Sequence, residues 1–464
     1  MVPAQPDKRS IKVIGPWFVE LERLGLSNFR WATGIEDTFI PQTAPGKRRL
    51  DEYELQQHYD LWSQDLDLVA RTGFQTMRYG IPWYRVEPAA GRFDWSWTDR
   101  VIPGIFERGI EPIVDLMHYG TPVWLDDQFL HPDYPKYVSI YASAFASRYP
   151  EVRYFTPLNE PFINAELCGR MAHWPPYLSG DSGFVLLTNA LCKGIVQTVD
   201  ALREVRSDAV MVHVEATGYG LTDEEELVPR LKLDSERLLS MFELITGRVD
   251  QGHPLYEYLT ENGITEQDLG WFRSHAIELD VMGLNYYPFM SVWRRSLIDG
   301  RLTQQAVWGG GEYMERIVRE VYNRYERPIL ITETSLNERA RDDGMFAAPP
   351  DAPKDTDDAC RGLWLDEVVT SLQRLTADGV PVVGCTWWPL YDLVNWEYRE
   401  GTGPVEDYLE PMGLYRLIRD EDGAFRREPL PVAQRMSEII SADEVNFGNK
   451  RSGVAEPSSI RHPH

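Results

Sequence analysis

The feature that most constrains the fold of this chain is an eightfold alternation of a short apolar run with a longer amphipathic stretch. Most of the runs are almost continuously apolar, which is typical of parallel strands covered on both faces. Strand–helix units repeated eight times predict a single α/β domain, a closed (β/α)8 TIM barrel. The predicted strands are Phe29–Thr33, Thr76–Gly80, Glu111–Met117, Tyr154–Asn159, Val210–Glu215, Asp280–Asn285, Pro328–Thr332 and Val382–Trp388.

The segments between and around these strands complete the predicted domain. Leu55–Gly73 predicts a helix, because apolar residues recur along one face and the pattern stops at a glycine. We expect residues 1–440 to form the barrel, with the lead up to about Asn28 packing across its bottom or partly disordered. Residues 441–464 are polar and without periodicity, which predicts a mobile tail. The Pro- and Asp-rich loop Arg339–Asp358 is expected on the active face.

Composition excludes several classes of function. The net charge of −25 would repel phosphate backbones and anionic lipid surfaces, so we expect no nucleic-acid or membrane partner. The four cysteines show no CxxC spacing, and no His/Cys/Asp cluster has metal-ligand spacing, so we expect neither a metal nor a cofactor. No run of 18 apolar residues predicts a transmembrane helix, and the N-terminus lacks an apolar signal-peptide region, so we expect a cytoplasmic protein.

Polar side chains end most of the predicted strands, which is where barrel active sites lie. In chain order they are Arg78, His118, Asn159 with Glu160, Asn285 with Tyr287, Glu333, and the aromatic Trp388. Glu160 stands in "PLNEP", where a proline must stop the strand. Glu333 stands in "ITETS" at the end of the seventh strand. The strand order therefore predicts two carboxyl groups across one barrel mouth.

A pair of carboxyl groups is what glycoside cleavage requires. One donates a proton to the leaving oxygen, and the other attacks or supports the oxocarbenium-like carbon. A separation of about 5–5.5 Å would indicate retention of configuration, and a wider gap inversion. The acid must keep its proton near neutrality, while a cation such as Arg78 would keep the nucleophile ionised.

The order of these motifs resembles glycoside hydrolase family one, the β-glucosidase and β-galactosidase family, from about Phe29 to past Tyr415. The segments that carry the resemblance are "RYGIPWYRVEPAAGRFDW", "LMHYGTPVWL", "PLNEP", "GLNYY", "ITETS", "WWPLYDLVNW" and "MGLYRL". Taken singly most of them are weak signals, but together and in this order they are highly specific.

The resemblance implies a role for each matched residue. Glu160 would be the acid/base, Glu333 the nucleophile, and Asn159 the ligand of the sugar 2-hydroxyl. The remaining matched or neighbouring residues are expected to bind substrate or to orient the nucleophile: Arg78, His118, Asn285, Tyr287, Trp388, Asn395, Trp396 and Glu36. Trp388 could also be simple barrel packing, but an aromatic ring at the mouth suits the apolar face of a sugar.

Several positions depart from the family pattern around the far rim of the sugar site. The family has a Gln at the end of the first strand, where this chain offers Gly34 or Glu36, and a Glu at the position of Asn395. Tyr119 replaces a Trp after the third-strand histidine. Further departures are Gly120, Pro157 and Thr334. A lost charged hydrogen bond costs about 1.5–3 kcal/mol, so we expect ordinary glucosides not to be the preferred substrates.

The sequence therefore predicts a retaining β-glycosidase that acts on a small carbohydrate or glycoside. Three alternatives stay open: transglycosylation by the same double displacement, a non-catalytic sugar-binding barrel, and another hydrolase of the same superfamily with an open cleft.

Overall fold

The computed structural model describes residues 17–337, 346–349 and 359–446. Eight strands close into a barrel, and each pairs in parallel with both neighbours, in the order β1-β8-β7-β6-β5-β4-β3-β2. The predicted TIM barrel is confirmed, and so is each predicted strand. The barrel strands are β1 (Arg30–Gly34), β2 (Thr76–Gly80), β3 (Glu111–Asp115), β4 (Tyr154–Thr156), β5 (Val210–Ala216), β6 (Val281–Asn285), β7 (Ile329–Thr334) and β8 (Val382–Trp387).

Strand β4 ends three residues before the predicted end at Asn159. Pro157 has no N–H to donate, so the regular ladder cannot continue through it. Single hydrogen bonds replace the ladder: the Asn159 amide donates to the Met117 carbonyl at 3.0 Å, and the Glu160 amide donates to the Val214 carbonyl at 3.1 Å. The chain after β4 is thus bonded to β5 and to the segment that follows β3 without being a strand itself.

Helices cover the outside of the barrel. The predicted helix from Leu55 begins only at His58, because Gln57 has a left-handed backbone with φ 61°, and it ends before Gly73 as predicted. The helices are α1 (Phe18–Leu24), α2 (Glu52–Leu55), α3 (His58–Thr72), α4 (Trp83–Val86), α5 (Thr98–Glu107), α6 (Tyr134–Arg148), α7 (Pro161–Asn164), α8 (Gly180–Val205), α9 (Val228–Leu238), α10 (Ser240–Ile245), α11 (Tyr256–Glu261), α12 (Glu266–Ser274), α13 (Gly310–Tyr325), α14 (Ala359–Ala377) and α15 (Pro431–Asn446).

Shorter helical turns and strands lie in the loops between these elements. A π-helical turn, Ala165–Arg170, continues α7. An antiparallel hairpin, Val292–Ile298 with Arg301–Ala306, adds to the strand Tyr219–Leu221. Three two-stranded sheets pair Phe39–Ile40 with Leu50–Asp51, Leu393–Val394 with Leu409–Glu410, and Tyr415–Arg419 with Phe425–Pro429. The 3₁₀ turns are Gln128–Leu130, Glu225–Leu227, Trp396–Arg399 and Val405–Tyr408.

The N-terminal lead closes one end of the barrel from Trp17 onward. Leu21, Leu24 and Leu26 pack with inward-facing strand residues such as Ile113 and Val212, and Leu24 is fully buried. This agrees with the expected packing across the barrel bottom. Residues 1–16 lie outside the described residues. The carboxyl ends of the strands lie at the opposite end of the barrel from this lead.

Three sequence expectations concern the remaining segments. Helix α15 runs to Asn446, so residues 441–446 are helical, while the mobile tail stays a prediction and residues 447–464 lie outside the described residues. Of the loop 339–358, residues 346–349 are described, and the ring of Phe346 lies 5.4 Å from that of Phe289. By length and composition α8 could cross a membrane, but it is largely buried and packs against α6, as a core helix of this fold does.

Candidate active site

Glu333 lies at an irregularity in β7. Ile331 is in register with Leu284 of β6, but Glu333 is in register with Asn285, so two steps along β7 match one step along β6. Such bulges commonly re-aim side chains next to active sites. The Glu333 carboxyl is almost fully buried, and it accepts from Arg78 Nη1 at 2.7 Å and from the Tyr287 hydroxyl at 2.7 Å.

Arg78 is the centre of the buried polar network. Besides Glu333, its guanidinium donates to Asp115 at 2.5 Å, to Asn159 Oδ1 at 2.8 Å and to the Thr332 carbonyl at 3.0 Å. The side chains of Arg78 and Asp115 are fully buried. One cation is thus shared by two carboxylates, and it fixes the orientation of the Asn159 amide, because only the amide oxygen can accept from arginine.

Glu160 comes from irregular backbone as well. It has φ 40° and ψ 60°, in the left-handed region that non-glycine residues rarely adopt. Its Oε1 accepts from Asn285 Nδ2 at 2.8 Å, and its Oε2 accepts from the Tyr119 hydroxyl. The Thr332 hydroxyl in turn donates to Asn285 Oδ1 at 2.6 Å, which leaves the Asn285 amide nitrogen pointing at Glu160.

The surroundings of the two carboxyl groups differ in charge. Burial raises the pKa of Glu160, and the hydrogen bonds from Tyr119 and Asn285 oppose this rise. Burial also raises the pKa of Glu333, which Arg78 opposes and the neighbouring Glu160 reinforces. Arg78 contacts Glu333 directly, whereas no cation of the described residues forms an ion pair with Glu160. The direct contact with Arg78 therefore favours the ionised form of Glu333 more than that of Glu160.

A second group of side chains adjoins this network at the ends of β1, β3 and β8. Glu36 Oε2 accepts from Trp388 Nε1 at 3.0 Å, and Glu36 Oε1 lies 3.8 Å from His118 Nε2. His118 Nε2 lies 3.0 Å from Asn159 Nδ2. The Arg78 guanidinium lies 4.7 Å from the centre of the Trp388 ring. The structure therefore brings Glu36, His118 and Trp388 together beside the two carboxyl groups.

Gly34 has a different part in this region. A Cβ atom added at Gly34 would lie 2.1 Å from a ring carbon of Trp388, so only glycine leaves room for this tryptophan. Trp388 itself is 1% exposed and lies nearly parallel to the His118 ring, with centroids 6.0 Å apart. Two residues were considered for the position where the family has a Gln at the end of the first strand. Glu36 contributes a carboxylate there, and Gly34 leaves room for the Trp388 ring.

Three side chains with metal-ligating atoms meet here although their sequence spacing gave no sign of it. Ligand atoms of Glu36, Asp37 and His118 lie within 4.8 Å of one another. His118 Nδ1 lies 2.6 Å from Asp37 Oδ1, which is the geometry of an ion pair or charged hydrogen bond. Glu36 Oε1 accepts from the Thr38 hydroxyl at 2.7 Å. Asp37 Oδ2 is buried without a hydrogen-bond partner among the described residues. The absence of a metal stays our prediction.

Two predicted residues lie differently. Asn395 uses its side chain within its own loop: its Oδ1 accepts from the Glu397 amide at 2.7 Å, and its Nδ2 donates to Glu410. No hydrogen bond joins it to the catalytic network within the described part of the chain. Trp396 does lie near that network, with its ring centre 5.5 Å from that of Tyr119.

The sequence reasoning missed several members of the site. Glu215 ends a predicted strand, and Asp115 lies two residues before the end of another, as Arg78 does, so the rule that selected Arg78 could have found both. Tyr119 was noted only as a departure, and its contact with Glu160 depends on a left-handed backbone, φ 72°, that the sequence does not signal. Asp37 was also missed, because it follows β1 in a segment with no turn signal of its own.

The comparison with known families and proteins agrees with this geometry. The sequence model of glycosyl hydrolase family 1 matches residues 33–402. A 1,4-beta-D-glucan glucohydrolase of Thermotoga neapolitana is 25% identical over 395 residues, which cover 78% of this chain and 84% of the relative. A 6-phospho-beta-glucosidase of Clostridium longisporum is 23% identical over 403 residues, covering 79% and 81%.

Solved structures show the same fold. A family 1 β-glucosidase from Thermotoga maritima superposes with a TM-score of 0.73 at 19% identity, over 90% of this chain and 98% of that one. Its complex with castanospermine superposes equally well, with a TM-score of 0.73 and the same coverage. The family match spans most of the chain and includes every strand end described above. The chain therefore belongs to glycosyl hydrolase family 1 and is an O-glycosyl hydrolase built on a TIM barrel.

Proposed function

We propose that this protein is a retaining β-glycosidase in which Glu160 is the acid/base and Glu333 the nucleophile. The observation that carries the assignment is the asymmetry of charge around the two carboxyl groups. Glu333 accepts from a guanidinium and a phenol, which stabilise a carboxylate. Glu160 is buried and has no described cation partner, which favours a protonated acid.

The two carboxyl groups then act in two steps. Glu160 gives its proton to the glycosidic oxygen while a Glu333 oxygen attacks the anomeric carbon, so that the C–O bond to the leaving group breaks as the glycosyl–enzyme bond forms. The Glu160 carboxylate next takes a proton from water, whose oxygen attacks the same carbon and releases Glu333. An alcohol or a second sugar in place of water would give transglycosylation.

The substrate that we propose is an uncharged β-linked glycoside bound in a modified sugar site. Three carboxyl groups, those of Glu36, Asp37 and Asp115, surround His118 within 4 Å of its ring nitrogens. This concentration of negative charge disfavours an anionic sugar phosphate. The Glu36 carboxylate suits sugar hydroxyls, which can donate to it. We also propose that Trp388 forms the floor of the site.

Covalent labelling tests this proposal directly. The protein is incubated with a panel of 2-deoxy-2-fluoro-β-glycosides that carry good leaving groups, and its intact mass is measured before peptide mapping. We expect one added sugar on Glu333 with the accepted sugar, and none in Glu333→Gln. A label on another residue would overturn the assignment. Sugar binding in a thermal-shift assay without any label would instead favour the non-catalytic sugar-binding barrel.

A further inference from the structure

Another buried carboxyl group, that of Glu215, lies at the end of β5 beside the site and takes no part in the proposed reaction. Its side chain is 1% exposed. It accepts from the Phe162 amide, with both oxygens at 3.2 Å, and from the Ala216 amide at 2.9 Å. No ion pair joins it to any cation in the described ranges. A carboxyl group this deeply buried, with only backbone donors, requires an explanation.

The backbone that Glu215 holds is the backbone that follows Glu160. Helix α7 begins at Pro161, and Glu160 is its N-cap residue, but the Glu160 side chain does not cap the helix. Pro161 has no N–H, so the Phe162 amide is the first donor that the helix start leaves unpaired. Glu215 supplies the missing acceptor from the neighbouring strand.

The other side of Glu160 is tied to the same strand. Its own amide donates to the Val214 carbonyl at 3.1 Å. Two adjacent residues of β5, Val214 and Glu215, therefore accept hydrogen bonds from the backbone amides of Glu160 and of Phe162. These hydrogen bonds hold Glu160 in its left-handed backbone conformation, φ 40° and ψ 60°. Such a conformation persists only where the surrounding structure fixes it.

We propose that Glu215 is a positioning residue for Glu160: its carboxyl holds the Phe162 amide and thereby fixes the backbone that aims the acid/base at the glycosidic oxygen. The inference rests on the proposed role of Glu160. It predicts that loss of the Glu215 acceptor impairs proton donation specifically, while the nucleophile, which is held from β2 and β6, continues to work.

The chain offers a conservative variant. Burial and the nearby Glu160 raise the pKa of the Glu215 carboxyl well above its usual range, so glutamine is a close mimic of its neutral form. A single oxygen, Oε1, accepts from the amides of both Phe162 and Ala216. The amide oxygen of Glu215→Gln can therefore keep both hydrogen bonds. Glu215→Asp keeps a carboxyl group but, being one methylene shorter, moves it away from the Phe162 amide. Glu215→Leu removes the acceptor.

Leaving-group dependence provides the readout, because a substrate with a good leaving group needs little help from the acid. For each variant, kcat/KM is measured with an aryl glycoside of high leaving-group ability and with an alkyl glycoside of the same sugar. We expect Glu215→Asp and Glu215→Leu to lose roughly 10–100-fold on the alkyl substrate and less than about 3-fold on the activated one, within the range of general-acid effects. Glu215→Gln should follow the unmutated enzyme on both.

Glu160→Ala distinguishes a failure of the positioning role of Glu215 from a failure of the acid/base assignment of Glu160. It should show the same pattern with a larger loss. If Glu160→Ala shows it and the Asp and Leu variants of Glu215 do not, the positioning role is wrong while the acid/base assignment stands. If Glu160→Ala shows no leaving-group dependence, the acid/base assignment itself fails. Should Glu215→Leu not fold, the contrast between the Asp and Gln variants decides, and equal behaviour of those two would overturn the inference.

Discussion

Replacing Arg78 by methionine would remove the cation that distinguishes Glu333 from Glu160, the two carboxyl groups proposed to be catalytic. Methionine approximates the length of the arginine stem but donates no hydrogen bond. Two buried carboxylates, Glu333 and Asp115, would then lose their common partner, which contacts them at 2.7 Å and 2.5 Å. We therefore expect Arg78→Met to change both the stability of the fold and the pH dependence of the reaction.

The size of each effect follows from these contacts. Removing one partner from a buried ion pair costs about 3–5 kcal/mol of unfolding free energy, because the remaining charge is left uncompensated. An adjacent arginine lowers a carboxyl pKa by about 1–3 units. Glu333 must be ionised to attack, and its pKa is already raised by burial. Without Arg78 this pKa rises further, so the acid limb of kcat/KM should move up by about 1–3 pH units.

The assay is the pH profile of kcat/KM with an activated aryl glycoside, together with urea unfolding. Arg399→Met provides a matched control, because Arg399 is also fully buried but donates to backbone carbonyls and to Tyr177, away from the catalytic carboxyl groups. It should lower stability without moving the acid limb. An unchanged acid limb in Arg78→Met, with activity retained, would refute the view that Arg78 keeps Glu333 ionised.

Three further predictions concern single contacts in the site. Tyr119→Phe removes a donor that favours the ionised form of Glu160, so the pKa of Glu160 rises and the alkaline limb of kcat/KM should move up by about 1–2 pH units. Gly34→Ala forces a Cβ atom against Trp388 and should cost about 1–3 kcal/mol in urea unfolding. Glu36→Gln removes a charged acceptor, and kcat/KM for the preferred sugar should fall roughly 10–100-fold, measured beside the other sugars of the panel.

The eight barrel strands could be predicted because parallel strands buried on both faces leave continuous apolar runs in the sequence. The strand ends then placed Glu160 and Glu333 at one mouth with no further information. Arg78 and Tyr287 were expected near Glu333, and the structure puts both in hydrogen-bond contact with it. This part of the site follows from topology, since any barrel with these strand ends must bring them together.

The remainder of the site depends on irregular backbone, which has no sequence period. Tyr119, which contacts Glu160, has a left-handed backbone conformation, and so does Glu160. Asn395 was expected at the sugar because of its position in a motif. Its amide instead donates to Glu410, 15 residues further along the chain, across the short sheet that pairs Leu393–Val394 with Leu409–Glu410. Local sequence patterns do not report such pairings.

The distribution of contacts explains how the proposed catalytic residues could be kept while the residues around the proposed sugar site change. Arg78 joins Glu333, Asp115 and Asn159, so a change at any of them leaves a buried charge or amide unpaired, and such changes are costly. Among the described residues, the polar contacts of the Glu36 carboxyl are with Thr38, Trp388 and His118, at the edge of this network, and the side chain of Asn395 stays within its own hairpin. Residues with so few catalytic contacts can be exchanged without moving the reacting carboxyl groups. Substitutions at the rim should therefore alter the choice of sugar and leave the pH profile of the reaction in place.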